Sequence, residues 1–186
     1  YSGDFVYGDL QDIEFHIEAR QENVSSEIMK DLICSYKEEL KKYKSLTETH
    51  IITPVKTRGS ISCEKINKLI QKAFNRDTSK SISNKTYNFY IKDKVICTKN
   101  DYETVNLDGQ KSPIYNGSIG IIKDIDIKDE KMLVHFVNED EIWLEKKHIE
   151  NIELGYVTTV HKTQGSEFKS VIIVMDNNSY IMQNCE

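Results

Sequence analysis

From Val24 to about Lys44 the apolar positions Val24, Ile28, Leu32, Tyr36, Leu40 and Tyr43 recur every three or four residues, the stripe of an amphipathic helix. Asn23 or Ser25 can cap it. Ahead of it, residues 4–7 and 13–19 read as short extended pieces; the second alternates cleanly and leaves His16 on its polar side as a surface residue. After it, Thr49-His50-Ile51-Ile52-Thr53 reads as a strand running into a loop that Pro54 and Gly59 keep from becoming helix. Ser62 then starts a second helix with Ile66, Leu69, Ile70 and Ala73 on one face. Strand, loop and helix in this order open a βα unit.

The texture changes from Phe89 on, after a polar stretch. Residues 77–88 are almost entirely polar and read as a linker. Short alternating segments follow at 93–97, 117–125, 131–136 and 141–144, separated by Asn-Gly and Asp-Glu turns, the pattern of a small antiparallel barrel of SH3-like size. Trp143 is expected in its core, and Tyr102 and Tyr115, in a long loop, can stack on bases. The run Val171-Ile172-Ile173-Val174-Met175 reads as a strand buried on both faces, as in a parallel sheet between helices. The expected organisation is therefore an α/β domain of residues 1–88 and 151–186, interrupted by an SH3-like insert at 89–150.

Charged residues make up 30% and apolar ones 38%, and no run approaches the ~20 apolar residues of a membrane span, so no membrane partner is expected. No signal peptide is evident. Cys34, Cys63, Cys97 and Cys185 are far apart and form no C-x-x-C pair, which favours reduced thiols in the cytoplasm over a disulfide frame or a metal site. The net charge of −5 argues against nucleic-acid binding through the overall field. Locally the balance reverses: between residues 51 and 80, Lys56, Arg58, Lys65, Lys68, Lys72, Arg76 and Lys80 face only Glu64 and Asp77. A solvated helix face and a phosphate contact at the loop bearing Thr53, Lys56 and Arg58 are both open readings. Residues 90–150 carry nine Lys against thirteen Asp and Glu, which argues against wholesale phosphate binding by the insert. A start at Tyr1 and an end in polar sequence fit an excised fragment.

The residue order most suggestive of chemistry is Tyr156-Val157-Thr158-Thr159-Val160-His161-Lys162-Thr163-Gln164-Gly165-Ser166-Glu167-Phe168, a polar loop between two strands, where open α/β sheets place ligand sites. This stretch resembles motif V of superfamily 1 helicases of the RecD/TraA type, with Val157 for the usual alanine and Thr163 for the usual serine. Lys92 to Tyr102 resembles the opening of that family's inserted SH3-like domain, with Lys92 in place of a usual glycine. Tyr115-Asn116-Gly117-Ser118-Ile119-Gly120 resembles its Asn-Gly turn, and Ile52 to Gly59 with Ile66-Asn67 its motif IV region.

The resemblance implies a second RecA-like motor domain, a P-loop-NTPase-type parallel sheet without a P-loop, carrying an SH3-like barrel. No G-x-x-x-x-G-K-[ST] loop occurs in the sequence, so no catalytic residue is expected here. ATP and Mg2+ would be held mainly by a missing first RecA-like domain. The implied activity is that of an ATP-dependent helicase moving 5′ to 3′ on single-stranded DNA in repair or recombination. By the same resemblance Thr159 and His161, with Lys162 nearby, fall to DNA, and Gln164, Gly165 and Glu167 to the nucleotide; Thr53 and Arg58 of the basic loop, and Asn100 and Tyr102, are further DNA-binding candidates. A conjugative relaxase-helicase, a Pif1-like enzyme and a non-catalytic binding module remain alternatives.

Overall fold

The computed structural model describes residues 24–57, 61–75, 77–137, 140–163 and 166–174. The extended pieces expected at 4–7 and 13–19 lie outside them. The stripe from Val24 forms helix α1 (Val24–Tyr43), and the THIIT segment forms strand β1 (Thr49–Thr53). Ser62 is the N-cap residue of α2 (Cys63–Phe74). β1 is the centre of a three-stranded sheet, flanked by β9 (Val157–Thr159) and β10 (Ser170–Ile173), and both pairings are parallel. α1 packs on β1 and β10, and α2 on β9. Leu32, Tyr36, Ile51, Ile66, Ile70 and Val157 are buried between them. A strand, a crossover and a second parallel strand bury apolar side chains this way because each amphipathic helix needs a sheet face to cover.

The run at 171–174 departs from expectation. Val171 is 42% and Ile173 63% exposed, so β10 is not buried on both faces. Among the described residues it is an outer strand of its sheet, with Ser170 and Ile172 half-buried.

The second sheet is antiparallel, in the order β7-β6-β5-β4-β8, formed by β4 (Lys94–Cys97), β5 (Ile119–Asp126), β6 (Lys131–Phe136), β7 (Glu141–Glu145) and β8 (Ile152–Leu154). A short helix α3 (Lys146–Ile149) joins the last two. β8 lies beyond residue 150, where the insert was expected to close, and pairs with β4 through Val95↔Leu154 and Cys97↔Ile152. Alternation fixes the sheet's inner face: Ile122, Ile125, Met132, Val134, Phe136, Ile142 and Leu144 are fully buried. The same alternation excludes Trp143 from the core, contrary to expectation. With Ile142 and Leu144 pointing in, Trp143 points out, only partly buried, beneath the Lys131 ammonium 5.2 Å from its ring centre.

The polar stretch 77–88 is not a plain linker either. β2 (Ser81–Ser83) pairs with β3 (Asn88–Tyr90) as a hairpin. Asn84 organises its turn: its side-chain oxygen accepts from the amides of Thr86 and Tyr87, and its amide donates to the carbonyls of Ile149 and Ile152. A polar side chain that satisfies backbone groups on both sides gives order to a sequence with little apolar periodicity. Lys92, which stands where a glycine was expected, adopts φ +71°, the left-handed region that side chains avoid. The strain of this turn is borne by the lysine.

Candidate nucleic-acid interface

The edge of β9 away from β1 is closed by a side chain. Asn67 of α2 donates to the Val157 carbonyl at 2.8 Å and accepts from the Val157 amide at 3.0 Å, replacing a neighbouring strand. The Cys63 thiol also donates to the Val157 carbonyl, at 3.0 Å. Burial and the charge of Glu153 push this thiol up to about 11, so it remains a protonated donor and not a nucleophile.

Two buried polar clusters tie the antiparallel sheet to the parallel one. Asp93, just before β4, accepts from Gln71 of α2, from Asn75 at its C-cap, from the amide of Tyr90 and from the hydroxyl of Tyr156. Burial raises its pKa despite these donors. Beside it Lys94, fully buried, donates to the Thr49 carbonyl at 2.9 Å and lies 3.1 Å from His50 Nδ1. A lysine that donates to Nδ1 leaves the imidazole proton on Nε2, which lies 2.7 Å from the Thr158 hydroxyl. Phe168 stacks flat on the His50 ring, centroids 4.3 Å apart, with Lys94 Nζ 5.8 Å from its own centre. Desolvation lowers the Lys94 pKa to about 7. Burial, and then the neighbouring Lys94, hold His50 well below its ordinary value. Thr158 and Phe168, from the two flanks of the loop at 160–167, thus both rest on His50.

After β9 the chain makes a 3-10 turn, Val160–Lys162, closed by Thr163, whose hydroxyl donates to the Val160 carbonyl at 2.9 Å. Val160 and His161 are exposed and Thr159 is half-buried. Lys162 turns back to Glu153 of β8, 2.7 Å away. Against this turn sits the Asn116-Gly117 turn of the antiparallel sheet: a Cβ added at Gly117 would lie 3.8 Å from the Lys162 carbonyl. Gly117 has φ +95°, which glycine adopts freely. The same turn is anchored by Asn100, whose side-chain oxygen accepts from the Asn116 amide at 2.8 Å and whose amide donates to the Tyr102 hydroxyl at 3.0 Å. Tyr102 and Tyr115 meet edge to face, centroids 6.2 Å apart, and are 60% and 50% exposed.

Asn100, Tyr102, His161 and Lys162 are therefore brought to adjoining turns, with Thr159 leading into them. Thr53 is fully buried, and its hydroxyl donates to the Ile61 carbonyl at 2.8 Å, so its side chain is turned inward and ties the loop between β1 and α2. Arg58, Gln164 and Gly165 lie outside the described residues. Glu167 is exposed. His50, Asn67, Asp93, Lys94 and Glu153 carry most of the polar organisation; Asn67, Asp93 and Lys94 fall within stretches that carry the family resemblance, but nothing in the sequence singles out any of the five.

Among the described residues no group of three or more His, Cys, Asp or Glu side chains is arranged to hold a metal. Among the same residues no helix is long and apolar enough to cross a membrane, and no disulfide joins Cys34, Cys63 and Cys97.

Residues 66–136, from α2 through β6, match the family model of the ATP-dependent RecD-like DNA helicase SH3 domain. Over 83 residues the chain is 32% identical to the ATP-dependent RecD2 DNA helicase of Deinococcus radiodurans, an alignment that covers 45% of this chain and 10% of that protein. The chain thus spans a small part of the relative's length. Residues 66–136 are thus similar to the SH3 domain of RecD-like helicases, and the chain is related to a RecD-type DNA helicase.

Proposed function

We propose that this chain is part of an ATP-dependent 5′–3′ DNA helicase of the RecD/TraA type. In this reading the parallel strands β1, β9 and β10 with α1 and α2 belong to the second RecA-like motor domain, and the antiparallel sheet is its inserted SH3-like domain. The observation that carries the reading is the contact between the Asn116-Gly117 turn and the Val160–Lys162 turn. It supports one continuous surface on which His161 and Lys162 meet DNA phosphates while Tyr102 and Tyr115 offer ring faces to unstacked bases.

The nucleotide would lie on the other side of the motif V loop, with Gln164, Gly165 and Glu167 toward ATP. The P-loop domain would hold ATP and Mg2+, and closure of the two domains would couple hydrolysis to movement on single-stranded DNA, in the cytoplasm and in repair or recombination. A loop that touches both ligands supplies the differential contacts that coupling requires. The test is the ATPase of the full-length protein. Single-stranded DNA should stimulate turnover, His161→Ala should raise the DNA concentration needed, and Glu167→Ala should raise the ATP concentration needed. Turnover indifferent to DNA would refute the motor reading and favour a non-catalytic binding module.

A further inference from the structure

The carboxylate of Glu153 sits between two lysines drawn from separate parts of the fold. Lys162 Nζ, in the turn after β9, is 2.7 Å from Oε2, and Lys56 Nζ, in the loop after β1, is 3.8 Å from Oε1. β1 and β9 are parallel neighbours in register, Thr53 opposite Thr159. The two lysines therefore converge at the carboxyl end of the sheet, the place where open α/β sheets bind ligands. The anion that receives them comes from neither strand. It is supplied by β8, at the edge of the antiparallel sheet.

The exposures are unequal. The Lys162 side chain is 19% and the Glu153 side chain 24% exposed, while Lys56 is 61% exposed. Lys162 is thus folded back onto the protein, and its charge is offset before any ligand arrives. Two ammonium groups gathered on one oxyanion is also how lysines hold a phosphate, as point charges without a fixed fork.

We infer that Glu153 is an internal phosphate surrogate, which holds Lys56 and Lys162 together until a backbone phosphate of single-stranded nucleic acid takes its place. The inference rests on the proposal that the Val160–Lys162 turn faces DNA, and it adds a residue that weakens binding by design. While Glu153 is in place, the site offers a net charge of about +1 instead of +2. Release of the lysines by an entering phosphate also frees β8 from the loops after β1 and β9, so the same exchange loosens one link between the two sheets.

The test uses the 186-residue chain and a fluorescent oligothymidine, with anisotropy titrations across a series of salt concentrations. Glu153→Gln keeps the shape and removes the charge. It should tighten binding by about threefold at low salt and steepen the slope of log K against log salt by up to about 0.7, the value for one more phosphate neutralised on a single strand. Lys162→Ala should weaken binding, and adding it to Glu153→Gln should erase most of the gain. Unchanged or weaker binding by Glu153→Gln, with Lys162→Ala still harmful, would overturn the surrogate role and leave the DNA surface intact. No effect from Lys162→Ala would refute the surface itself. A measurement on the unmodified chain guards against a variant that fails to fold: the 13C resonance of the Glu153 carboxyl should shift as the oligonucleotide saturates. A resonance that stays fixed at saturation would also overturn the inference.

Discussion

Lys94 gives the sharpest quantitative test of how the two sheets are joined. Its amine is fully buried, and desolvation lowers its pKa from 10.5 to about 7. The unfolded chain therefore keeps the proton up to about pH 10.4, whereas the folded chain releases it near 7. Because the unfolded state binds more protons within that window, stability rises with pH there, by up to about 1.4 kcal/mol per unit. The penalty attached to Lys94 is thus smallest above pH 10.5, grows as pH falls, and levels off below 7. Integrated over the window it is on the order of 4 kcal/mol.

Lys94→Met has similar length and no charge, so it abolishes this pH-dependent term. It also removes the contacts to the Thr49 carbonyl and to His50 Nδ1, a loss of about 1 kcal/mol each that does not vary across the window. The other groups packed on the amine, Thr158 through His50 and the Phe168 ring, do not titrate, and His50 stays neutral because its pKa is held well below 6.5. Urea unfolding of both proteins at pH 7, 8, 9 and 10 gives the difference directly. The variant should be the more stable near pH 7 and should lose that advantage toward pH 10, with the difference changing by about 3 to 4 kcal/mol. A difference independent of pH would show that the Lys94 amine is solvated, and the account of the junction would fail.

The backbone supplies two further tests. Lys92→Gly relieves a residue held at φ +71° whose side chain makes only a 3.8 Å ion pair with Asp77 and is 73% exposed; chemical denaturation should show a gain of about 0.5–1 kcal/mol, and a loss would mean that the lysine has a structural role. Gly155 joins β8 to β9, and a Cβ there would lie 2.7 Å from the Val95 carbonyl carbon and 2.9 Å from its oxygen. Gly155→Ala should destabilise the fold by more than about 2 kcal/mol, and an unchanged thermal midpoint would contradict the close approach of the strands.

Helices α1 and α2 and most strands were legible because their apolar residues keep one period: α1 every three to four residues, β6 and β7 every two; the single-turn α3 is too short to show one. Periodicity failed where order comes from polar side chains. Asn84 builds the β2–β3 hairpin out of a stretch with little apolar content, and Asn67 edges β9 like a strand. Of the candidate site, the exposed tyrosines and the His161-Lys162 pair could be read from motif and spacing. Their adjacency could not, since it depends on a turn some 45 residues upstream reaching the Lys162 carbonyl. The burial of Thr53 and Lys94 was equally hidden, because polar side chains in a strand take their inward or outward direction from neighbours that only the tertiary fold supplies.

In the proposed function the aromatic turn and the Val160–Lys162 turn form one surface for single-stranded DNA. Its most direct test is anisotropy with oligothymidine at fixed low salt and again across a salt series, comparing the unmodified chain with Tyr102→Ala and His161→Ala. Tyr102→Ala should lower affinity by about 1–3 kcal/mol with the salt slope unchanged, since stacking involves no counterions. His161→Ala should also weaken binding. Full affinity in Tyr102→Ala, or loss in neither variant, would contradict the shared surface.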